Sequence, residues 1–347
     1  MSWLTDDEDD GAYSEYDESA AKVRPNPKGN KPRSKNRPEH ADALSGRVFS
    51  VDRGRYGVWV DENTPEERQL IATKARELRT QEGRISVVAG DRVDLVGDTS
   101  GDEGSLARIV RVQPRTTLLR RSADDTDAVE RIIVANADQM LIVVAAANPE
   151  PRPRLVDRYL VAAYDAGITP ILVITKTDLA DPSEFLANFA GLGFRVIESR
   201  SDEPPVDELR ELLDGHTTVA VGHSGVGKST LVNALVPDAN RAVGRVNDVT
   251  GRGRHTSSST ISYRVGTGWI VDTPGVRSFG LGHVDPSNIL KSFTDLAELA
   301  KDCPRGCTHL PDAPDCAIIE GVAAGKLGEL GPQRLESFQR LIATLGS

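Results

Sequence analysis

Residues Gly222–Thr230 read GHSGVGKST, which fits the phosphate-loop pattern G-x-x-x-x-G-K-[ST]. Glycines at 222, 225 and 227 let the backbone amides around His223, Ser224 and Val226 converge on phosphate oxygens. A helix opening behind them would present its positive end to the same anion. Lys228 suits the β- and γ-phosphates, and the Ser229 hydroxyl, followed by Thr230, suits Mg²⁺. The motif alone does not choose between adenine and guanine nucleotides. Asp272-Thr273-Pro274-Gly275 ends the apolar run GWIVD. Asp272 there is a candidate Mg²⁺ ligand acting through water, and the Gly275 amide a γ-phosphate contact. An ordinary turn is the alternative, since Asp, Pro and Gly are turn formers.

Thr175-Lys176-Thr177-Asp178 also closes an apolar run, PILVIT. A carboxylate accepts both N1–H and N2–H of guanine but finds no matching donor pair on adenine. Asp178 is therefore the expected guanine reader, with the Lys176 stem flanking the base. Ser199, in VIESRSDEP, is a candidate for the loop covering that base. GRGRHTSSST at 251–260 has glycine, arginine and hydroxyl residues without hydrophobic periodicity. Such a segment can close over a γ-phosphate and offer a hydroxyl to Mg²⁺, Thr256 first and Ser257 second. Finally, CPRGCTHLPDAPDC supplies Cys303, Cys307, His309 and Cys316. Three thiolates and an imidazole form a closed tetrahedral set, the usual structural zinc site, with no position left open for water.

Unbroken apolar runs such as QMLIVVAA and PILVIT read as buried parallel strands. RPRLVDRYLVAAYDAG between them has helical spacing and a C-capping glycine at 167. TTVAVG leads into the phosphate loop and STLVNALVP out of it. The sequence thus predicts an α/β P-loop domain over 119–282 whose ligand motifs sit at the carboxyl ends of strands. Before it, from Gly46, GRVFSVDRGRYGVWVD, GRISVVAGDRVDLVGD and SLARIVRVQPRTTLL alternate apolar and polar residues around turn signals. They suggest a small β-barrel over 45–118 of OB-fold size, serving either as a structural module or as an RNA reader. Its aromatics are few: Phe49, Tyr56 and Trp59. After the cysteines, CAIIEGVAAGKLG and PQRLESFQRLIATL read as amphipathic helices of a mostly helical domain over 283–347.

The 347 residues carry a net charge of −10, yet DDEDD at 6–10 is followed by a basic, Pro-, Asn- and Gly-rich stretch. Residues 1–44 are expected to be a disordered charged tail, either solvated or tracking a phosphate backbone. No apolar run is long enough to cross a bilayer, and the acidic start is unlike a secretory signal. With all three cysteines beside a histidine, the expectation is a cytoplasmic protein without a membrane partner.

Together TKTD, GHSGVGKST, RGRHT and DTPGVRSFGL, in that order, with ANADQ and VDRYLVA upstream, resemble the circularly permuted GTPases, and closely the RsgA (YjeQ) family. The resemblance spans roughly 45–345. It implies GTP hydrolysis with Mg²⁺, stimulated by the small (30S) ribosomal subunit late in that subunit's maturation. It also implies contact with 16S rRNA, one structural Zn²⁺ and a monomer. A P-loop ATPase or kinase, and an RNA-binding P-loop protein with a regulatory nucleotide site and weak turnover, remain alternatives. The family's base motif usually starts with Asn, whereas this chain has Thr175, whose hydroxyl can donate to guanine N7. Val276 stands where Ras-like enzymes carry a water-orienting Gln, and the resemblance implies His255 as the catalytic substitute. Family zinc ligands are commonly spaced C-x4-C-x-H-x5-C, against C-x3-C-x-H-x6-C here.

Overall fold

A computed structural model describes residues 40–76, 78–80, 83–84, 86–122, 130–237, 260–273, 279 and 281–346. The expected tail lies almost wholly outside them, as do His255, Thr256, Ser257, Gly275 and Val276.

The first strands are β1 (Leu44–Asp52), β2 (Arg55–Val60), β3 (Arg68–Lys74), the short pair β4 (Arg79–Thr80) and β5 (Gly83–Arg84), β6 (Arg92–Gly97) and β7 (Ala107–Val112). Five of them close a barrel in the order β1-β2-β3-β7-β6, with β6 pairing back onto β1. Only β3 and β7 run parallel, the mark of an OB-type barrel rather than a meander. Their alternation puts Val48, Val58, Leu70, Leu95 and Ile109 into one core. Asp91, fully buried, accepts from Arg115 at 2.7 and 2.8 Å and from the Val88 amide at 2.8 Å, fixing the turn into β6. Phe49 and Tyr56 are buried, and Trp59 lies against Phe49 and Trp269 at 6.0 Å from each. The barrel's aromatics thus pack inward and against the neighbouring sheet, so they form no open stacking face.

A hairpin, β8 (Leu118–Ser122) and β9 (Glu130–Ala135), leads into alternating strands and helices. These are β10 (Gln139–Ala145), α1 (Pro153–Asp165), β11 (Thr169–Thr175), α2 (Ser183–Ala187), β12 (Arg195–Ser199), α3 (Val206–Leu213), β13 (Thr217–Val221) and α4 (Lys228–Leu235), then β14 (Ile261–Val265) and β15 (Gly268–Asp272). Strands β12-β11-β10-β13-β15 are all parallel, and β14 closes the edge antiparallel. Every residue of β10 is buried, as expected for a strand covered on both faces. Helix α1 starts with proline in its first turn and buries Val156, Tyr159, Leu160 and Ala163 along one stripe. It ends where Gly167, at φ 69°, donates to Tyr164 and Ile168 donates back to Ala163.

Residues Asp42–Ser347 form one compact unit. Strand β14 meets β1 at Ser50–Ile261, so the two sheets are continuous. Around that seam Arg47 donates to Thr217 Oγ1 at 3.0 Å, and Arg264 pairs with Glu67 at 2.8 Å while lying over the Trp269 ring. On the other side pack α5 (Pro286–Lys291), α6 (Thr294–Leu299), α7 (Ala317–Ala323) and α8 (Gly331–Ala343). They share a hydrophobic core with α1, in which Phe279, ahead of α5, meets Tyr159 at 5.7 Å, and Phe293, between α5 and α6, meets Phe338 of α8 at 5.3 Å. Arg340 of α8 pairs with the buried Asp157 of α1 at 3.1 Å. Burial pushes the Asp157 carboxyl up, and Arg340 opposes that shift.

Candidate nucleotide and metal sites

The parallel sheet brings three separate motifs to one edge. Strand β13 ends at Val221 and opens into the phosphate loop, β11 ends at Thr175, and β15 ends at Asp272. Carboxyl ends of parallel strands are where open α/β sheets hold ligands. Within the loop a Cβ on Gly222 would fall 2.5 Å from the Val143 carbonyl oxygen, so only glycine fits that approach. Gly227 has φ 92° and caps α4, whose first turn carries no acidic residue to oppose an anion. His223 Nδ1 lies 3.0 Å from the Ser224 carbonyl, Val226 is buried, and Ser224, Gly225, Ser229 and Thr230 face outward. The hydroxyl-bearing start of α4 is thus open to solvent above the loop.

Lys228 forms an ion pair with Asp272 Oδ1, both side chains mostly buried. The expected phosphate ligand and the expected Mg²⁺ ligand therefore sit within reach of each other. A nucleotide phosphate and its cation would separate them, each charge exchanging its partner for one of the same sign. Beside Asp272, the buried Thr273 hydroxyl donates to the Ala220 carbonyl and ties the β15 end to β13.

At the β11 end, Lys176 adopts φ 59° and donates through Nζ to the Gly225 carbonyl at 2.8 Å and to that of Asn148. Thr175 is buried, and its hydroxyl donates to the Val226 carbonyl at 2.5 Å, with the Val144 carbonyl at 3.3 Å. Asp178 Oδ1 accepts from the Ser201 amide at 2.7 Å and its hydroxyl at 2.9 Å. The Ser201 amide, ahead of the other causes, holds the Asp178 carboxyl below the usual carboxylate range. Ser199 is buried at the end of β12; its hydroxyl lies 3.4 Å from the Arg200 carbonyl, and its own carbonyl accepts from the Thr177 amide at 3.3 Å. The side chain that meets Asp178 is thus Ser201, two residues past the sequence candidate. The Ser-Arg-Ser-Asp polarity of the loop is visible in the sequence, but which serine turns toward Asp178 depends on where β12 stops.

The second site lies past the nucleotide domain. Cys303, Cys307, His309 and Cys316 bring their ligand atoms within 4.8 Å of one another. Cys303 Sγ is 3.9 Å from Cys316 Sγ and 3.7 Å from His309 Nδ1, which is 3.6 Å from Cys316 Sγ. A tetrahedron with Zn–S of about 2.3 Å and Zn–N of about 2.0 Å has edges of roughly 3.8 and 3.5 Å, so Cys303, His309 and Cys316 match zinc, with Cys307 Sγ within 4.8 Å as the fourth ligand atom. Burial pushes the His309 imidazole down, favouring the neutral form that ligates. Gln339 of α8 donates to the His309 carbonyl at 2.9 Å, joining the cluster to the helical core.

Residues 112–282 match the family model described as RsgA GTPase. The chain is 37% identical over 292 residues to the small ribosomal subunit biogenesis GTPase RsgA of Pseudomonas syringae pv. syringae, covering 78% of this chain and 82% of that protein. The chain belongs to the RsgA GTPase family. The RsgA of Pseudomonas aeruginosa is 36% identical over 288 residues, with the same coverage of both chains. Among solved structures, YjeQ from Thermotoga maritima superposes with a TM-score of 0.63 at 25% identity, over 88% of this chain and 99% of that one. YloQ, a circularly permuted GTPase, superposes with a TM-score of 0.62 at 23% identity, over 89% and 98%, and supports the permuted fold. In this RsgA-family chain the permutation is visible in the strand ends themselves, with the base motif on β11 preceding the phosphate loop after β13.

Proposed function

We propose that this chain hydrolyses GTP to GDP and phosphate and serves the biogenesis of the small ribosomal subunit, binding that subunit and its 16S rRNA as a cytoplasmic monomer. The observation that carries the reading is the convergence of the β11, β13 and β15 ends on one sheet edge. Asp178, steadied by Ser201, reads guanine N1–H and N2–H. The amides from Gly222 to Ser229 and the Lys228 ammonium hold the phosphates, with Thr230 in the first turn behind them. Ser229, Thr256 and, through water, Asp272 would hold Mg²⁺, and the Gly275 amide would meet the γ-phosphate. Mg²⁺, when bound, offsets charge on the β- and γ-oxygens. His255 positions the attacking water.

The division we propose is a barrel over 45–118, the nucleotide domain over 119–282 and a zinc domain over 283–347. In it Cys303, Cys307, His309 and Cys316 hold one structural Zn²⁺. The barrel's RNA contact is carried by exposed arginines such as Arg53, Arg55, Arg108 and Arg111, since its aromatics face inward. Equilibrium competition against a fluorescent guanine nucleotide tests the base assignment. Unlabelled GTP is expected to displace it at least about 100-fold better than ATP, whose N6 amine faces Asp178 without an N1–H. Equal displacement by ATP would reject the guanine site.

A further inference from the structure

The first residue of the base motif is bonded to the phosphate loop. Thr175 is 6% exposed, and its one hydroxyl hydrogen is directed at the Val226 carbonyl, 2.5 Å away. Its side chain lies directly beneath Gly227, where a Cβ would come within 3.5 Å of the Thr175 oxygen and 3.7 Å of its methyl. The next residue repeats the grip, with Lys176 Nζ on the Gly225 carbonyl at 2.8 Å. Two successive carbonyls of the loop are therefore pulled toward the end of β11.

In a trans peptide unit the C=O and N–H point in opposite directions. Holding the Val226 carbonyl inward aims the Gly227 N–H outward, and holding the Gly225 carbonyl inward does the same for the Val226 N–H. Those are amides of the anion-binding nest. Gly227 at φ 92° completes this geometry before α4 begins.

We propose that Thr175 is a positioning residue for the phosphate-binding amides and makes no hydrogen bond to the base, leaving guanine selection to Asp178. The inference rests on the nucleotide-site reading above. It replaces the sequence-based expectation that the Thr175 hydroxyl donates to guanine N7, because that hydrogen already has a buried acceptor. A threonine is too short to hold the loop and reach the base together, whereas an amide side chain has two N–H groups to divide between two acceptors.

The test is equilibrium titration of the full chain with GTP and with 7-deaza-GTP, which carries C–H in place of N7. The wild-type protein should bind the two within about twofold of each other. Thr175→Val, isosteric but without a donor, should weaken both nucleotides by the same factor, about tenfold, because the Val226 carbonyl loses its partner. Thr175→Ser keeps the hydroxyl and should restore both to within about threefold. The proposal is overturned if wild-type protein binds 7-deaza-GTP more than about tenfold worse than GTP. It is equally overturned if Thr175→Val penalises GTP alone, or neither nucleotide. The wild-type comparison needs no variant to fold. Asp178→Asn, titrated with GTP and XTP, reports separately on the guanine-site reading: failure to shift preference toward XTP rejects that reading and leaves the comparison of the Thr175 variants intact.

Discussion

Asp178 takes both of its described hydrogen bonds on Oδ1, from the Ser201 amide and hydroxyl, and this leaves the carboxylate oriented before a base arrives. Asp178→Asn keeps one acceptor for N1–H but sets a donor against the guanine 2-amino group, where xanthine carries a carbonyl. GTP affinity should fall by about 100-fold, with XTP gaining in the same titration. Because the carboxyl is held below its ordinary value, the stability it lends the Ser201 turn is fully present above the ordinary carboxylate pKa. That contribution is lost only as pH falls through the depressed value. Guanine preference should accordingly stay flat from about pH 8 to pH 5, measured as the GTP-to-ATP Kd ratio. His255→Ala should lower subunit-stimulated turnover by about 100-fold while changing GTP affinity little. Asp178 was legible because its motif is contiguous and ends an apolar run. Ser201 and the Thr175–Val226 bond were not, since each joins segments that meet only when the parallel strands are in register.

At the scale of elements, the phosphate loop depends on a backbone approach that side chains would block. Gly222→Ala would set a Cβ 2.5 Å from the Val143 carbonyl, a backbone atom with no rotamer to change. The substitution should cost about 1–3 kcal/mol in chemical denaturation and weaken GTP binding further. The Cys303–Cys316 cluster makes the opposite kind of demand. Its ligand spacing departs from the common pattern, yet His309 and Asp315 at positive φ bend the longer loop so that the four ligands still meet. Cys316→Ser or zinc chelation should collapse hydrogen-exchange protection in α7 and α8 while leaving β13 protected. The buried strands, α1 and the two last helices could be read from period and caps. The hairpin β8–β9 could not, because the polar SADDTD cluster at 122–127 marks a loop without saying that the strands on either side pair with each other. Nor could the inward use of Trp59, which only the seam with β15 explains.

Across the whole molecule the permutation alters chain order without disturbing the sheet edge, and it delivers the chain leaving β15 straight into the C-terminal helices. The C-terminal segment completes the nucleotide domain's core through Phe293 and Phe338, which join Phe279 and Tyr159 in one cluster. Removing residues 283–347 would therefore expose that core, so this packing is better probed at one contact. Arg340→Ala strands the buried Asp157 carboxylate and should destabilise the fold by about 3 kcal/mol in a denaturant titration. A GTPase that serves small-subunit biogenesis should answer to the small ribosomal subunit itself. The direct measurement is GTP hydrolysis by the full chain, with and without purified small subunits, over a salt series. Turnover should be slow alone, rise at least about tenfold with subunits, and lose that gain as salt weakens phosphate contacts. A rate that subunits leave unchanged at every salt concentration would contradict it.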